Sequence, residues 1–171
     1  MVKEINYLSA TEFKRLMKSY GFPTYSYNRN VISKDCIKTF DWAIISIGNT
    51  ENVECDNDVD LWANGPDNHW LPDCDNVLNI NFDDVDNSDG KYQGAFNELH
   101  AQEILYFLED NKDKNRFIIH CSAGISRSGA IASITYDYFK SLGYDVKITP
   151  EYPKTPNIFI RSLLNKVIRN Y

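Results

Sequence analysis

The sequence predicts an α/β fold with a central, mostly parallel twisted sheet that is flanked by helices on both faces. A nearly continuous apolar run at residues 42–47 suits a strand that is covered on both sides. Strand-like and helix-like segments then alternate along the chain, which is typical of parallel sheets. A short apolar strand at residues 116–120 runs straight into a glycine-bearing loop. Loops at the carboxyl ends of such strands are where α/β proteins bind ligands.

The chain has 171 residues, of which 43% are hydrophobic, so it suits a single domain, residues 1–171, with a packed core. Its formal charge of −6 argues against nucleic acid or an anionic membrane as the main partner. The sequence shows no signal peptide, and no apolar stretch is long enough to cross a bilayer. We therefore expect a cytoplasmic location, and we expect a monomer.

The first predicted element is a short helix. Ser9 and Glu12 form a capping-box pattern, and an apolar stripe follows it at Phe13, Leu16 and Met17. Gly21 ends the pattern.

Residues 49–75 are polar and rich in Asp and Asn, which indicates a long loop or insertion. Surface decoration is the preferred interpretation, although a place for His69 and Trp70 in the wall of a cleft stays open. Residues 77–82 alternate and predict a further strand, and a loop follows at 83–90.

Three more helices are predicted, over residues 95–110, over 128–142 with Gly143 as the stop, and from a cap at Asn157 through residue 168. His100, in the first of these, is expected at the surface or in packing contacts. The four cysteines, at positions 36, 55, 74 and 121, form no C-x-x-C pair. The histidines are scattered as well, so we predict no metal site.

The segment that begins at Cys121 carries the chemistry. A free cysteine is only about 3% thiolate at pH 7, so an enzyme that attacks phosphorus with sulfur must lower its thiol pKa. Converging backbone N–H groups and the positive end of a helix dipole do this, and they also hold phosphate oxygens. Gly124 allows a tight loop, Arg127 offers a planar fork to two oxygens, and Ser128 stands at the mouth of the next helix.

The segment His120-Cys121-Ser122-Ala123-Gly124-Ile125-Ser126-Arg127-Ser128-Gly129 resembles the H-C-x-x-G-x-x-R-S-G signature of the protein tyrosine phosphatase superfamily. It is most like the dual-specificity branch and its small bacterial and phage relatives. The resemblance implies a phosphatase-type strand–loop–helix in which Cys121 attacks phosphorus and forms a phosphocysteine. Arg127 and the loop residues Ser122, Ala123, Gly124, Ile125 and Ser126 would bind the phosphate. Ser128 would help the sulfur leave, and no cofactor or metal would be needed.

The resemblance also assigns a supporting role to His120, which would tune the thiolate through hydrogen bonds to the loop backbone. It places a general acid just after the strand that ends near Phe82. Asp84 is the best match for this acid, and Asp86 stays open as the alternative. Asp83 is the residue expected to face away and cap the turn.

The expected substrate is a phosphoprotein, with phosphotyrosine first and phosphoserine or phosphothreonine as further substrates. Phosphate, sulfate and vanadate are the expected active-site ligands. Lipid phosphatases of the superfamily usually carry lysines in this loop, whereas the variable positions here are uncharged. A non-protein substrate, such as an RNA 5′-phosphate or a phosphoinositide, and a non-catalytic phosphopeptide-binding module are the alternatives.

Overall fold

The computed structural model describes residues 2–21, 40–51 and 69–171. Its strands are β1 (Val2–Ser9), β2 (Trp42–Gly48), β3 (Val77–Asn81), β4 (Arg116–Cys121) and β5 (Asp145–Thr149). Its helices are α1 (Ala10–Ser19), α2 (Glu98–Asp110), α3 (Arg127–Ser141) and α4 (Ile158–Arg169). Residues 52–68 of the predicted insertion lie outside the described residues, as do Cys36 and Cys55.

The five strands form one sheet in the order β3-β2-β4-β1-β5, and every neighbouring pair is parallel. The predicted fold class is therefore confirmed. Ser9 lies beside Cys121 in the register of β1 and β4, and Gly48 lies beside Asn81 in that of β2 and β3. Because the strands are parallel, these four residues end their strands at the same edge of the sheet.

Helices cover both faces of this sheet. On one face, α1 buries Phe13 against Ile44 of β2 and Ile118 of β4. On the other face, α2, α3 and α4 pack against the alternate residues of the same strands, including Ile45 and Ile119. The central strands are thus apolar on both sides, which explains the continuous hydrophobic run that predicted β2.

The sequence pattern did not predict β1 and β5. In β1 the fully buried Lys3 interrupts the apolar alternation, and its Nζ donates to the carbonyl oxygens of Lys112 and Lys114. β5 lies at the edge of the sheet, and Val146 is its buried residue. Both strands depend on tertiary contacts that a local hydrophobic pattern does not reveal.

The predicted helices are present, with small shifts at their starts. The capping box of α1 is confirmed, since the Glu12 amide donates to Ser9 Oγ (3.2 Å) and the Ser9 amide to Glu12 Oε2 (2.8 Å). α2 begins at Glu98 because the Asn97 side chain caps it, and His100 Nδ1 accepts from the Asn97 amide. No helix in the described part of the chain has the length and apolar character to span a membrane.

Candidate active site

Cys121 is the last residue of β4, and the loop after it leads directly into α3. Its side chain is buried. The Gly124 amide donates to Cys121 Sγ over 3.3 Å, and the thiol lies 3.2 Å from Ser128 Oγ, to which it donates. The sulfur is therefore held between a backbone donor of the loop and a hydroxyl in the first turn of α3.

Gly124 gives the loop its tight path. Its φ is +71°, a left-handed conformation that side chains disfavour. A Cβ at this position would lie 2.2 Å from the backbone nitrogen of Ser9, so the loop also packs closely on the end of β1. Both the backbone conformation and the close approach require glycine here.

Two carbonyl groups of the loop are held from outside. Ser122 O accepts from the Ala10 amide at the start of α1 (3.2 Å), and Ser126 O accepts from the Asn157 amide before α4 (3.1 Å). In a trans peptide the next N–H points opposite to the carbonyl, so these contacts direct the following amides away from α1 and α4. The N-terminus of α3 has no side-chain cap. The start of α3 therefore offers backbone donors that no side chain caps, which favours an anion there.

Arg127 is buried, and the ends of β2 and β3 orient its guanidinium. Its Nη1 donates to Gly48 O (3.2 Å), Asn49 Oδ1 (2.7 Å) and Phe82 O (2.9 Å). Its Nη2 donates to Ser122 Oγ in the loop (3.3 Å). One nitrogen is thus fixed by the strand ends, and the other lies beside the loop that begins at Cys121.

Asp84 contacts the same loop from a different part of the chain. Its Oδ1 accepts from Ser126 Oγ (2.7 Å) and from Asn157 Nδ2 (2.9 Å). Asn157 Nδ2 also donates to Val85 O (3.3 Å), and Asn157 Oδ1 caps α4. Asn157 therefore holds the Asp84 segment with its side chain and the end of the loop with its backbone amide, and the Asp84 carboxylate stays exposed to solvent.

Its neighbouring carboxylates have other contacts. Asp83 accepts from the Thr50 amide (3.0 Å) and hydroxyl (2.7 Å) and from Tyr92 Oη (2.7 Å). Burial raises the pKa of Asp83, but the hydrogen bonds from Thr50 and Tyr92 and the charge of Arg127 outweigh burial and lower it. Asp86 is exposed and accepts from a backbone amide two residues on. Asp83 therefore ties two loops together, and Asp86 shapes a turn.

His120 faces the other side of the sheet from the Cys121 sulfur. Its ring stacks on Phe13 of α1, with centroids 4.0 Å apart. Neither ring nitrogen has a hydrogen-bond partner among the described residues, so the implied bonds to the loop backbone are not present in this structure. Burial is the main cause that lowers the pKa of His120 to about 3, and the ring is neutral.

The described end of the insertion does not decorate the surface. His69 and Trp70 are buried, and Trp70 packs edge-on against Phe13. Surface decoration is therefore wrong for this end. His69 lies at the ends of β2 and β3, where it bonds to Ser46 and Asn81.

The bonds above therefore bring most of the predicted site residues together around one loop: Cys121, Ser122, Gly124, Ser126, Arg127, Ser128 and Asp84. Ala123 and Ile125 are exposed at its rim, where Ile125 is 55% accessible. Sequence reasoning missed Asn49 as a partner of Arg127, although its place after a strand-ending glycine is a signal. It predicted Asn157 only as a helix cap. Among the described residues, no group of three or more His, Cys, Asp or Glu side chains is arranged to hold a metal ion.

Comparison with known proteins finds a distant partial relative. The chain is 34% identical over 101 residues to "MAP kinase phosphatase with leucine-rich repeats protein 1" of Dictyostelium discoideum. The match covers 56% of this chain and 11% of that protein, so the chain spans about a tenth of the relative's length. No family model matches the chain, and no solved structure does.

Proposed function

We propose that the chain is a cysteine-dependent phosphatase that hydrolyses phosphotyrosine in proteins through a phosphocysteine intermediate. One observation carries the proposal: the side chains of a cysteine at the end of β4, an arginine at the start of α3 and an aspartate after β3 all bond to residues 122–126 of one loop. Gly124 links Cys121 to the loop, Ser122 links Arg127, and Ser126 links Asp84. The relative named as a MAP kinase phosphatase supports the same class of reaction.

The substrate's phosphate would bind on the concave side of the loop. Backbone amides and the uncapped start of α3 would donate to its oxygens, and the Arg127 guanidinium would donate to two of them through Nη2 and Nε, since Nη1 is bound to the strand ends. Because Nη1 of Arg127 is already held by the strand ends, binding would need little reordering of that side chain. These donors would also stabilise the charge of the transition state.

In the first step, Cys121 reacts as the thiolate, after its proton has been released to solvent: Sγ attacks phosphorus, and the bond from phosphorus to the phenolic oxygen breaks. Asp84 delivers a proton to that oxygen, so tyrosine leaves as a neutral phenol. Asp84 suits this role better than Asp83, because both carboxylate oxygens of Asp83 accept hydrogen bonds, whereas the bonds to Asp84 both reach Oδ1 and leave Oδ2 to carry the proton. Asp84 Oδ1 is held by Ser126 and Asn157, which orients the carboxyl group over the loop.

In the second step, water attacks phosphorus and gives a proton to the Asp84 carboxylate, while the bond from phosphorus to sulfur breaks. The sulfur leaves as a thiolate. Ser128 Oγ, 3.2 Å from Sγ, would donate to the thiolate, which is the reverse of the bond that the thiol makes in this structure. Inorganic phosphate and the starting form of Cys121 are the products.

A protein substrate is favoured by the charge of the site and of the chain. The variable loop positions Ser122, Ala123, Ile125 and Ser126 carry no cation for a polyphosphorylated head group. The net charge of −6 opposes binding of an RNA backbone. The relative's name refers to a protein kinase as its target, which supports a phosphoprotein here.

The decisive experiment measures turnover of an aryl phosphate and of a phosphotyrosine peptide by the wild type and by two cysteine variants. Cys121→Ser should abolish turnover because the hydroxyl is a far weaker nucleophile, yet it should still bind vanadate. Cys74→Ser is the matched control, since this half-buried thiol lies before β3, where it donates to Asn76 Oδ1, and it should keep wild-type rates.

Rapid acid quench with a ³²P-labelled substrate should trap label on wild-type protein and none on Cys121→Ser. Near wild-type turnover by Cys121→Ser would contradict the covalent mechanism. Vanadate binding without any turnover by the wild type would favour a phosphopeptide-binding module. Faster turnover of a phosphoinositide or of an RNA 5′-phosphate would move the substrate away from proteins.

A further inference from the structure

A partly buried row of hydrogen bonds connects the end of the insertion to the guanidinium of Arg127. His69 Nδ1 lies 2.9 Å from Ser46 Oγ, and His69 Nε2 lies 2.9 Å from Asn81 Oδ1. Asn81 Nδ2 donates to Asn49 O (2.9 Å), and Asn49 Oδ1 accepts from Arg127 Nη1 (2.7 Å). The row therefore runs from His69 through Asn81 and Asn49 to Arg127.

The bonds in this row define the state of His69. Asn81 uses its Nδ2 as the donor to Asn49 O, so its Oδ1 is the atom that faces the His69 ring. His69 Nε2 must therefore carry a proton and donate to Asn81. Nδ1 can then accept from the Ser46 hydroxyl, which makes neutral His69 a donor on one side and an acceptor on the other.

Gly48 supplies a second, independent observation. A Cβ on Gly48 would lie 2.5 Å from Asn81 Nδ2 and 3.3 Å from both Cε1 and Nε2 of His69. The backbone at the end of β2 thus rests directly on the His69–Asn81 pair. Gly48 O is itself an acceptor of Arg127 Nη1, so the pair supports two of the three groups that hold this nitrogen.

We propose that His69 is a positioning residue that orders the Arg127 guanidinium through Asn81 and the 48–49 turn. When the Nε2–H of His69 is removed, the Asn81 amide is free to rotate away from Asn49 O. The 48–49 turn then loses a support beneath Arg127. The guanidinium then samples orientations in which Nη2 and Nε do not face two phosphate oxygens. The catalytic consequence rests on the proposed phosphatase function, whereas the ordering of Arg127 is a property of the free protein.

Two substitutions at position 69 separate the two hydrogen bonds of the imidazole, which are the Ser46 arm at Nδ1 and the Asn81 arm at Nε2. In His69→Gln, the side-chain amide nitrogen replaces Nε2 and keeps the bond to Asn81. In His69→Asn, the shorter amide replaces Nδ1, so it keeps the bond to Ser46 and loses the one to Asn81. Ser46→Ala removes the Ser46 arm alone and leaves the arm that leads to Arg127 intact.

The first readout is ¹⁵N NMR of the Arg127 guanidinium in the free protein, with the signal assigned by its loss in Arg127→Lys. Hindered rotation of the guanidinium should persist in the wild type, His69→Gln and Ser46→Ala, and it should be lost in His69→Asn. Urea unfolding of each variant gives its stability separately. A purely structural role would lower stability and leave the Arg127 signals alike in all the variants.

The second readout is kinetic and uses an aryl phosphate, together with vanadate affinity by calorimetry. His69→Asn should lower kcat/KM by about 10- to 100-fold, and His69→Gln should stay within about threefold of the wild type. The loss should almost vanish when His69→Asn is combined with Arg127→Lys, because the lysine no longer depends on the turn.

Identical Arg127 signals in His69→Asn and His69→Gln would overturn the proposal, whatever the enzyme turns over. Equal kinetics of these two variants in an active wild-type background would also overturn it and would leave the phosphatase assignment standing. If the wild type turns over no phosphate ester, the phosphatase assignment fails, and the Arg127 signals alone decide whether His69 orders this side chain.

Discussion

The two halves of the candidate site differ in how the chain builds them. The nucleophile half lies within eight consecutive residues, 121–128, where one glycine with a positive φ and the start of α3 shape the loop around the sulfur. The other half combines the ends of β2 and β3, the Asp84 segment and Asn157 before α4. Arg127 belongs to both halves, because its backbone lies in the loop and its Nη1 is bound to the strand ends.

This difference has a physical consequence for what each half tolerates. Local backbone geometry determines the shape of the loop, so a substitution there introduces backbone strain and a clash with β1. Hydrogen bonds between distant segments determine the assembled half, so changes there alter the orientation of the arginine and the aspartate while the loop stays intact. Four predictions test this division, and they run from the largest expected effect to the smallest.

Asp84→Asn should lower the rate on a phosphotyrosine peptide by about 10²- to 10⁴-fold, because the amide cannot give a proton to the leaving oxygen. The amide oxygen can still accept from Ser126 and Asn157, so folding should be little changed. The loss should shrink for an aryl phosphate with an activated phenol, which leaves without a proton. Parallel kinetics on both substrates provide the measurement.

Asp83→Asn and Asp86→Asn are the controls for that experiment. Asp83→Asn should mainly lower stability, because it weakens the contacts with Thr50 and Tyr92. If Asp86→Asn shows the leaving-group dependence and Asp84→Asn does not, the acid is Asp86.

Arg127→Lys should lower kcat/KM by on the order of 10²- to 10³-fold despite the unchanged charge, since an ammonium makes a point contact where the guanidinium spans two oxygens. Arg116→Lys is the matched control at the other end of β4, where Nε donates to Asn6, and it should keep activity. Steady-state kinetics and vanadate affinity measure both. Equal affinities for vanadate in the two variants would show that Arg127 does not bind the phosphate.

Gly124→Ala should destabilise the fold by about 2–5 kcal/mol, because left-handed strain adds to a clash with the Ser9 backbone. Gly143→Ala is the control, since φ there is +85° and a Cβ would meet nothing within 4 Å. It should cost only the conformational strain of about 1–2 kcal/mol. Urea unfolding distinguishes them, and equal losses would show that the β1 contact does not constrain the loop.

His120→Gln should change the pH dependence of stability more than it changes catalysis. The pKa of His120 is about 3 in the folded chain, and an unfolded histidine has a pKa near 6.5. As the pH falls below about 6.5, the unfolded state takes up a proton first, so the stability due to neutral His120 is present above that pH and is lost on acidification. The wild type should therefore lose up to about 1.4 kcal/mol more per pH unit than His120→Gln between about pH 6 and pH 4.

The control for that measurement is His100→Gln, since burial also lowers the pKa of this half-buried residue. It should reduce the pH dependence of the free energy of unfolding less than His120→Gln does. A curve for His120→Gln that is parallel to the wild type would contradict a buried neutral His120.

The sequence by itself determined the parts of this protein that depend on neighbouring residues. Residues 121–129 were enough to predict the loop, and the Ser9–Glu12 pattern was enough to predict the start of the first helix, because turn geometry and capping act over a few residues. The continuous apolar run at 42–47 was enough to predict a strand covered on both faces, and with it the parallel sheet.

Only the tertiary structure decided which distant groups meet that loop. No local pattern reveals that Lys3 is buried in a strand, that Asn49 and Phe82 hold Arg127, or that His69 lies beneath the end of β2. The tertiary structure also places His120 against α1, without the loop contacts that the family resemblance implied. Such contacts arise from the register and order of parallel strands, in which residues far apart in the chain end at one edge of the sheet.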